Sequence, residues 1–549
     1  MGINPAVNLD EAIAAYDTAA EIRRGLGLEK NLSQTLTNLG NARRTQAEMG
    51  INPAVNLDEA IAAYDTAAEI RRRLGLEKDL SQTLTNLGVA RKTQAEMGIN
   101  PAFNLDEAIA AYDTAAEILR RLGLARDLAR TLNNQGFAYQ AQSRLPDNSP
   151  AQTQTALENA YSSFQTALER VEYLRGEIGD DSEGYKRNFN EEWNKVYRGM
   201  VEVCLALGRN PAAIEYADRS KARNLVELIA TRNAYPGGIM PPENRQKLQN
   251  LKNQIAQAEQ NPNPNPTHLN HLRQAKQNLE PYQPLDFSAM QALLDDETAI
   301  LEWYILPDKI LTFTLTQHSL DLWTSTEEDR QNLINWTANY LGNYITNTDE
   351  WRDNLSQSLA TLSPILHLDE ILDKLQTQFP TCQKLILIPH LFLHLFPLHA
   401  LPISLPSPSG RGVGGEDNFL QDLFPQGVAY APNCQVLQQA QNRIDQRPDF
   451  NRLFALQNPT QDLKFTDMEV EAIQTLFKPA HILKHDQAEK PGIVQANPSN
   501  PADLDTTDSL KNAHCAHFSC HGYFNFENAL KSALILAKSE FTPPPPSND

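Results

Sequence analysis

Residues 50–97 read GINPAVNLDEAIAAYDTAAEIRRRLGLEKDLSQTLTNLGVARKTQAEM, and residues 2–49 repeat this stretch almost unchanged. The differing pairs are Gly25/Arg73, Asn31/Asp79, Asn41/Val89 and Arg44/Lys92. Residues 98–145 continue the same period of 48 residues (50 minus 2) more loosely. The recurring markers are Tyr16, Tyr64, Tyr112 and Gly40, Gly88, Gly136. Because self-similarity at such a period is typical of stacked repeats, we expect a helical array at the N-terminus.

Each repeat contains two helical patterns. In the first, the apolar positions at helical spacing are Leu57, Ala60, Ile61, Tyr64, Ala67 and Leu74, and in the second they are Leu80, Leu84 and Leu87. We expect Asn56 to cap the first helix, with Glu59 completing a capping box, and Asp79 to cap the second. Gly75 suits a helix end, and Gly88 lets a neighbouring helix approach closely.

These residues resemble the tetratricopeptide repeat (TPR). Ala60, Tyr64 and Ala67 match its A-x3-[FY]-x2-A helix, and Leu87-Gly88 matches its L-G pair. The triad recurs as Ala160, Phe164 and Ala167, and the array is expected to run to residue 233. The extra length is expected in the turn at residues 98–101 and the helix ends. The resemblance implies an α-solenoid whose concave face binds a partner protein or peptide. The alternative is a spacer without a ligand.

Composition excludes several classes of protein. The 549 residues carry a net charge of -20, which does not suit a general nucleic-acid binder. Five cysteines do not form a secreted disulfide framework, and the N-terminus shows no signal-peptide pattern. Residues 385–405 lack charged side chains but contain three prolines, Pro389, Pro397 and Pro402. This stretch therefore predicts buried strands and turns rather than a membrane span, and we expect a cytoplasmic protein.

The middle of the chain changes from helices to strands. Residues 242–279 predict a helical hairpin that links two domains. Three strands are expected at 297–306, 309–317 and 319–325, two helices between 327 and 378, and a buried strand at 384–390. The strand aromatics Trp303, Tyr304, Phe313 and Trp323 are expected in the core.

The last part of the chain alternates strands and helices. Strands are expected at 452–457, 481–485 and 516–520, with helices at 467–477 and, more weakly, 501–513. This order predicts a mainly parallel sheet covered by helices. The Pro/Gly/Ser segment 405–417 is interpreted as a linker, since no helix pattern follows its glycines to support nucleotide binding. His521-Gly522 lies at a strand's carboxyl end, where catalytic groups gather in such sheets.

The stretch HCAHFSCHGYFNFENALKSALILA (514–537) resembles the histidine motif of the CHAT family, caspase-like peptidase domains associated with TPRs. LILIPHLFLHLFPLHAL (385–401) is similar to an upstream block of that family. VAYAPNCQVL (428–437) is similar to its Y-A-P-S block, with Asn433 in place of serine, and ADRSKARNLVELI (217–229) is similar to its run-in. The resemblance implies a cysteine endopeptidase fold with His521 as the catalytic histidine and Gly522 in the turn beside the site.

The cysteine nucleophile that the resemblance implies is missing. In that family it ends the strand after the histidine, and no cysteine follows His521 here. Cys520 is its chain neighbour and points to the opposite face, Cys515 lies roughly 20 Å back along the strand, and the other cysteines match no nucleophile motif. We expect five structural thiols and no peptidase activity from this chain alone.

A zinc site is the alternative interpretation of the cysteine and histidine residues at this strand. The candidates are His514, Cys515, His517, Cys520 and His521, with a second group at His390, His394 and His399. Strand alternation separates the first set, and prolines oppose the helix that the second would need. We therefore expect neither a metal nor a cofactor. Both ends resemble cut points, which suits a truncated gene model, a degenerate gene, or a split protein completed by a second chain.

The predicted fold class is α + α/β: a TPR-like α-solenoid followed by a caspase-like domain with an incomplete, mainly parallel sheet. The predicted domains are residues 1–233 for the repeats, 234–284 for the linker and 285–549 for the CHAT domain. The predicted function is a repeat-scaffolded protein of the caspase-like endopeptidase class. The alternative is a non-catalytic interaction scaffold with a degenerate peptidase fold. The expected partner is a protein or peptide, without nucleic acid or membrane.

Overall fold

The fold is taken from a computed structural model, which describes most of the chain. The described residues are 5–176, 183–221, 242–259, 266–279, 284–406, 418–445, 450–490, 510, 513–523, 525 and 532–539. They form a helical array followed by two β-sheets with flanking helices, so the predicted α + α/β fold class is confirmed.

The array consists of antiparallel helices that each pack on the next one in the chain. They are α1 Pro5–Gly25, α2 Glu29–Glu48, α3 Pro53–Arg73, α4 Glu77–Glu96, α5 Pro101–Arg121, α6 Ala125–Ser143, α7 Pro150–Gly176, α8 Glu183–Ala206 and α9 Asn210–Arg219. The helix α4 also contacts α2 and α6 directly, so these helices form one layer. Buried threonine hydroxyls meet across that layer, with Thr85 Oγ1 2.9 Å from Thr131 Oγ1.

Each repeat packs on the next through an aromatic ring that lies directly against a glycine. A Cβ at Gly40 would lie 2.6 Å from the Tyr64 ring, and one at Gly88 would lie 2.6 Å from the Tyr112 ring. Gly136 faces Phe164 in the same way. The predicted close approach at Gly88 is therefore confirmed, and side chains larger than glycine do not fit at these joints.

The polar surroundings of the ring differ from joint to joint. Tyr64 donates its hydroxyl to Asn41 Oδ1 at 2.7 Å. Val89 replaces that asparagine in the next repeat, and the buried Tyr112 hydroxyl has no hydrogen-bond partner among the described residues. At the third joint the ring is Phe164, packed edge-on against Phe137 at 5.0 Å between centroids.

The predicted N-caps are wrong by a few residues. Helix α3 begins at Pro53 after Asn52, whose backbone is left-handed (φ 38°), so Asn56 lies inside the helix and donates to Ile51 O at 2.7 Å. Helix α4 begins at Glu77, so Asp79 lies in its first turn. Proline favours the first helical position and set the start earlier than the capping pattern suggested. Gly75 does follow the end of α3 with φ +66°, as predicted.

The predicted helical hairpin is confirmed as helices Pro242–Glu259 and Pro266–Gln277, which pack on each other. After the short helix Phe287–Gln291, the chain enters a five-stranded sheet of order β3-β2-β1-β4-β7. Its strands are β1 Thr298–Ile305, β2 Ile310–Leu315, β3 Leu320–Thr324, β4 Lys384–Ile388 and β7 Val428–Tyr430. The first three form an antiparallel meander, whereas β1, β4 and β7 run parallel.

Two apolar cores cover the two faces of this sheet. Ile300, Tyr304 and Phe313 pack toward the array, whereas Ala299, Leu301 and Trp303 pack toward the helices between β3 and β4. Trp323 was predicted in the core, but it is only partly buried and packs at the edge of that core. Four helices lie where two were predicted, because the turns at Asn347, Asn354 and Leu366 break the pattern: Glu327–Thr346, Thr348–Asp353, Leu355–Ile365 and Leu368–Gln378.

A second, wholly parallel sheet follows in the order β10-β8-β9. Its strands are β8 Leu453–Gln457, β9 Ala480–Lys484 and β10 Cys515–Ser519, with the helix Thr466–Gln474 between the first two. The predicted strands of this part of the chain are confirmed, and all three lie in one parallel sheet as expected. Most of the predicted linker, 405–417, lies outside the described residues. Almost all of the predicted helix 501–513 lies outside them as well.

The smaller elements of the described structure are one helix, two strand pairs and the 3-10 helices Leu391–Leu395, Leu398–Ala400, Leu420–Leu423 and His485–Gln487. The helix Cys434–Asp445 follows β7. Two strand pairs are β5 Pro402–Ile403 with β6 Asn418–Phe419, and β11 Gly522–Tyr523 with β12 Ala533–Leu534. Of the helices in the described ranges, none has both the length and the apolar character to cross a membrane.

Candidate functional site

The predicted site residue His521 lies at the carboxyl end of β10, two residues after Ser519. Strands β8, β9 and β10 are parallel, so the loops that follow them meet at this edge of the sheet. The backbone at His521 is fixed by Ile535, whose N–H donates to His521 O at 2.8 Å. Gly522 begins β11 in an ordinary strand conformation, and a Cβ there would meet nothing within 4 Å. Gly522 is therefore beside the site but not in a turn that demands glycine.

A tight loop after β8 brings polar groups to His521. Asn458 begins it in the left-handed region (φ 48°), and its N–H donates to Ser519 O at 3.0 Å. The Asn458 side chain closes the loop, since Nδ2 donates to Leu463 O at 3.1 Å and Oδ1 accepts from Leu463 N at 3.2 Å. The loop is thus held to β10 two residues before the histidine.

Asp462 in this loop contacts His521 directly. Nε2 of the imidazole lies 3.0 Å from both Oδ1 and Oδ2 of Asp462. Thr460 donates its hydroxyl to the same carboxylate. Hydrogen bonds from Thr460 and then His521 hold the pKa of Asp462 below its usual value. Both side chains remain reachable from solvent, at 44% exposure for His521 and 62% for Asp462.

Two further histidine–carboxylate pairs lie at the same sheet. His517 Nε2 is 3.4 Å from Glu469, which also accepts from Ser519 Oγ at 2.5 Å. His485 Nε2 is 3.6 Å from Asp467. Neither Nε2 has a hydrogen-bond partner within the described part of the chain. The His521–Asp462 pair is therefore the tighter arrangement, and sequence reasoning missed it because 59 residues separate its members.

The thiols of the chain are poorly suited to nucleophilic attack. Burial raises the pKa of Cys204 to about 12 and that of Cys382 to about 11, and it raises the pKa of Cys434 well above the usual value. Burial also raises the pKa of Cys515 and Cys520, the two cysteines nearest His521 in the chain. Since the thiolate is the reactive form, none of the five is activated.

The upstream histidines are held in separate structural contacts. His390 Nδ1 accepts from Ile305 N at 2.9 Å, and its ring stacks on Tyr304 at 4.5 Å between centroids. Burial lowers the pKa of His390 well below its ordinary value. His399 instead contacts the Tyr430 hydroxyl through N–H and Nδ1, at 2.9 and 3.0 Å. His390 and His399 thus support the fold around β4.

A buried polar cluster joins the array to the first sheet. Lys221 Nζ donates to Glu302 Oε1 and to Trp303 O, each at 2.8 Å. Asp218 accepts from Cys434 N at 2.7 Å. Ligand atoms of Asp218, Glu302 and Cys434 lie within 4.8 Å of one another, and this is the set within the described ranges that could hold a metal ion. Lys221 supplies a positive charge there and pairs with Glu302 Oε1, whereas the buried Glu302 Oε2 has no hydrogen-bond partner among the described residues.

A polar groove lies between α4 and α6. Lys78, Gln82 and Arg130 are exposed along it, above the paired hydroxyls of Thr85 and Thr131. Arg130 also pairs with Asp127 on its own helix. This surface offers the cationic groups of Lys78 and Arg130 and the amide of Gln82 to a ligand, with the Asp127 carboxylate beside them, whereas the threonine hydroxyls below are buried.

A comparison with protein-family models finds a match in the second half of the chain. Residues 357–542 match the CHAT domain model. Among solved structures, the crystal structure of BtubC (BKLC) from P. vanneervenii is similar over 42% of this chain and 94% of that chain, at 17% identity and a TM-score of 0.24. A comparison with curated proteins finds no match. The matched range includes β4, both small strand pairs, the parallel three-stranded sheet and His521, and residues 357–542 are accordingly a CHAT domain, of the caspase-like peptidase family.

Proposed function

We propose that this chain carries the histidine half of a cysteine endopeptidase site, with His521 as the proton-transferring residue, and that its helical repeats bind a partner protein. The single observation that carries the proposal is the position of His521. It lies at the carboxyl edge of a parallel sheet inside the CHAT match, exposed, and hydrogen-bonded to a carboxylate. This arrangement of an accessible, oriented imidazole suits general base catalysis.

The chemistry needs a thiol that the chain does not activate itself. The His521 imidazole would accept the thiol proton, and the thiolate would attack the scissile carbonyl carbon. The peptide C–N bond then breaks, the imidazolium returns its proton to the leaving amine, and water hydrolyses the acyl thioester. All five thiols here have raised pKa values, which supports inactivity of this chain alone. The nucleophile would come from further polypeptide that completes the sheet beside β10.

The proposed domain division places the catalytic part at residues 285–549, the linker at 234–284 and the repeats at 1–233. The family match begins at residue 357, but β4 inside it pairs with β1, which begins at Thr298. That pairing supports a start upstream of the matched range.

The test compares two histidine variants in the complete protein purified from its native cells. We expect His521→Ala to abolish peptide-bond cleavage of a denatured protein substrate. His485→Ala is the matched control, because His485 also follows a strand of the same sheet, faces Asp467, and has 43% exposure. It should retain cleavage. Undiminished cleavage by the His521→Ala protein would remove His521 from the mechanism. The 549-residue chain alone should show no cleavage.

The groove between α4 and α6 favours the second candidate function, a scaffold that binds partners without catalysis. Lys78, Gln82 and Arg130 would contact an extended peptide that carries carboxylates. A peptide library bound to the purified chain tests this, with a Gln82→Ala/Arg130→Ala variant against Glu69→Ala on the exposed surface of α3. We expect at least a tenfold loss of binding for the groove variant alone. Equal binding by both variants would exclude the groove.

A further inference from the structure

We propose that Asp462 is a positioning residue that holds the His521 imidazole in the Nε2–H tautomer, which leaves Nδ1 as the nitrogen that accepts the proton in catalysis. The last clause rests on the proposed function. The tautomer itself is a property of this chain and can be measured without any activity.

The geometry around Nε2 assigns the proton. Nε2 lies 3.0 Å from both oxygens of Asp462, so it points between two acceptors. An ionised carboxylate only accepts hydrogen bonds, and therefore Nε2 must be the nitrogen that carries hydrogen. In a neutral imidazole the other nitrogen, Nδ1, then keeps its lone pair and is the base.

The carboxylate is itself held in place. Thr460 donates its hydroxyl to Asp462, so one oxygen of the carboxylate is shared between the threonine and the histidine. The Asn458 side chain donates to Leu463 O and accepts from Leu463 N. These two hydrogen bonds close the loop segment that contains Asp462. Gln461 connects the same loop to the 3-10 turn after β9, since Nε2 donates to Asp486 Oδ1 at 3.1 Å. Asp462 is thus oriented by its loop before any substrate arrives.

The two other histidine–carboxylate pairs described at this sheet lack such an arrangement. Glu469 is 3.4 Å from His517 Nε2, and Asp467 is 3.6 Å from His485 Nε2, without hydrogen-bond geometry in either pair within the described ranges. Since the His521–Asp462 pair is exposed, it adds little to stability. Its effect is on the orientation and tautomer of one ring.

The experiment uses the 549-residue chain labelled with 15N-histidine, at about pH 9, where imidazoles are neutral. The His521 signals are assigned by their loss in His521→Ala. We expect His521 to show a single Nε2–H tautomer in the wild-type chain. Asp462→Ala should convert it to a mixture of tautomers in exchange, and Thr460→Val should give a smaller shift in the same direction. Asp467→Ala, which removes the neighbour of His485, should leave His521 unchanged.

An Nδ1–H tautomer in the wild-type chain, or an unchanged equilibrium in Asp462→Ala, would overturn the inference. Because Asp462 is exposed, we expect Asp462→Ala to fold normally. An unchanged midpoint of thermal unfolding would verify this. The two proposals fail separately. A tautomer that responds to Asp462, with cleavage surviving in His521→Ala, would leave the positioning role and remove the peptidase role. A tautomer indifferent to Asp462, with cleavage lost in His521→Ala, would do the reverse.

Discussion

Lys221 Nζ lies 2.8 Å from Glu302 Oε1, and both side chains are almost completely buried. The lysine follows the last helix of the described array, α9, and the glutamate lies at the centre of β1 in the first sheet. A second carboxylate, Asp218, and the thiol of Cys434 complete the cluster. The ion pair therefore connects the repeats to the sheet, in surroundings where a lone charge is very costly.

Removing the lysine should destabilise the junction strongly. Lys221→Met leaves the Glu302 carboxylate buried and unpaired, and we expect a loss of about 3–5 kcal/mol in the free energy of unfolding, measured by chemical denaturation. The double variant Lys221→Met/Glu302→Leu should recover a large part of that loss, because both charges are gone. Arg73→Met is the control, since Arg73 meets Glu29 at the same 2.8 Å but on the surface. A double variant no more stable than the single one would contradict this account.

The contribution of two buried carboxyl groups, Asp218 and Glu302, to stability should fall as the pH rises toward neutrality. Burial raises the pKa of Asp218 to about 6 and that of Glu302 to about 7. The folded state therefore binds protons more tightly than the unfolded state, whose carboxyl pKa values are about 4. Stability that is present below about pH 4 is lost as the pH rises through the folded values. The buried His390, whose pKa is lowered, acts in the opposite direction below about pH 6.5, so the test compares variants. Denaturation from pH 4 to 8 should show the stability of the wild type falling relative to that of Glu302→Gln, whereas the exposed Glu328→Gln variant should keep the wild-type pH profile.

Two glycines inside helices should respond oppositely to alanine. Gly88→Ala places a methyl group 2.6 Å from the Tyr112 ring, and we expect a loss of about 1–3 kcal/mol from overpacking. Gly342 lies in the helix Glu327–Thr346 with nothing within 4 Å of an added Cβ. Gly342→Ala should stabilise by about 0.5–1 kcal/mol, since alanine favours the helix. Thermal unfolding of both variants measures the difference, and equal effects would refute the role assigned to the joint.

The two joint tyrosines offer a second matched pair. Tyr64→Phe removes the hydrogen bond to Asn41 and should cost about 0.5–1.5 kcal/mol. Tyr112→Phe removes a buried hydroxyl without a partner in the described structure, and should be neutral or stabilising. The natural Phe164 at the third joint has the same chemistry. A larger loss for Tyr112→Phe than for Tyr64→Phe would show that the hydroxyl is satisfied.

No thiol of this chain should behave as an activated nucleophile. Alkylation with iodoacetamide at about pH 7 should be slower in the folded chain than after denaturation, because burial raises all five pKa values. Mass spectrometry should find Cys515 and Cys520, which are partly exposed, modified before the buried Cys204 and Cys434. A cysteine that reacts rapidly below pH 7 would identify a nucleophile and reverse the assignment of inactivity.

The sequence predicted features that depend on local periodicity. The paired helices, the Gly88 contact and the buried strand at 384–388 followed from spacing within a few turns or residues. The helix starts were missed because Pro53 and the left-handed Asn52 outweighed the capping pattern at Asn56. His521 was found through its place at a strand end. Its partner was not, since nothing in the pattern around Asp462 marks a contact 59 residues away.

Long-range pairing also limited the prediction of the sheets. The order of strands and helices along the chain was predicted, but the neighbours of each strand within its sheet were not, because alternation of apolar residues does not show which strand edges meet. Lys221 lies in a stretch with a helical pattern and Glu302 in a predicted strand. Because 81 residues separate them, neither pattern predicts their contact. Glu302, a carboxylate inside the apolar stretch 299–306, is the signal that could have suggested a buried positively charged partner.

The repeated joint has a consequence for how such a chain can change over generations. Gly40 meets Tyr64 in the same way as Gly88 meets Tyr112, 48 residues later (88 minus 40). Misaligned recombination between the matching gene segments would add or remove one in-frame unit, and every remaining ring would still find its glycine. Array length could therefore vary by inheritance without new compensating substitutions, while α9 and the ion pair at Lys221 keep the junction to the sheet fixed.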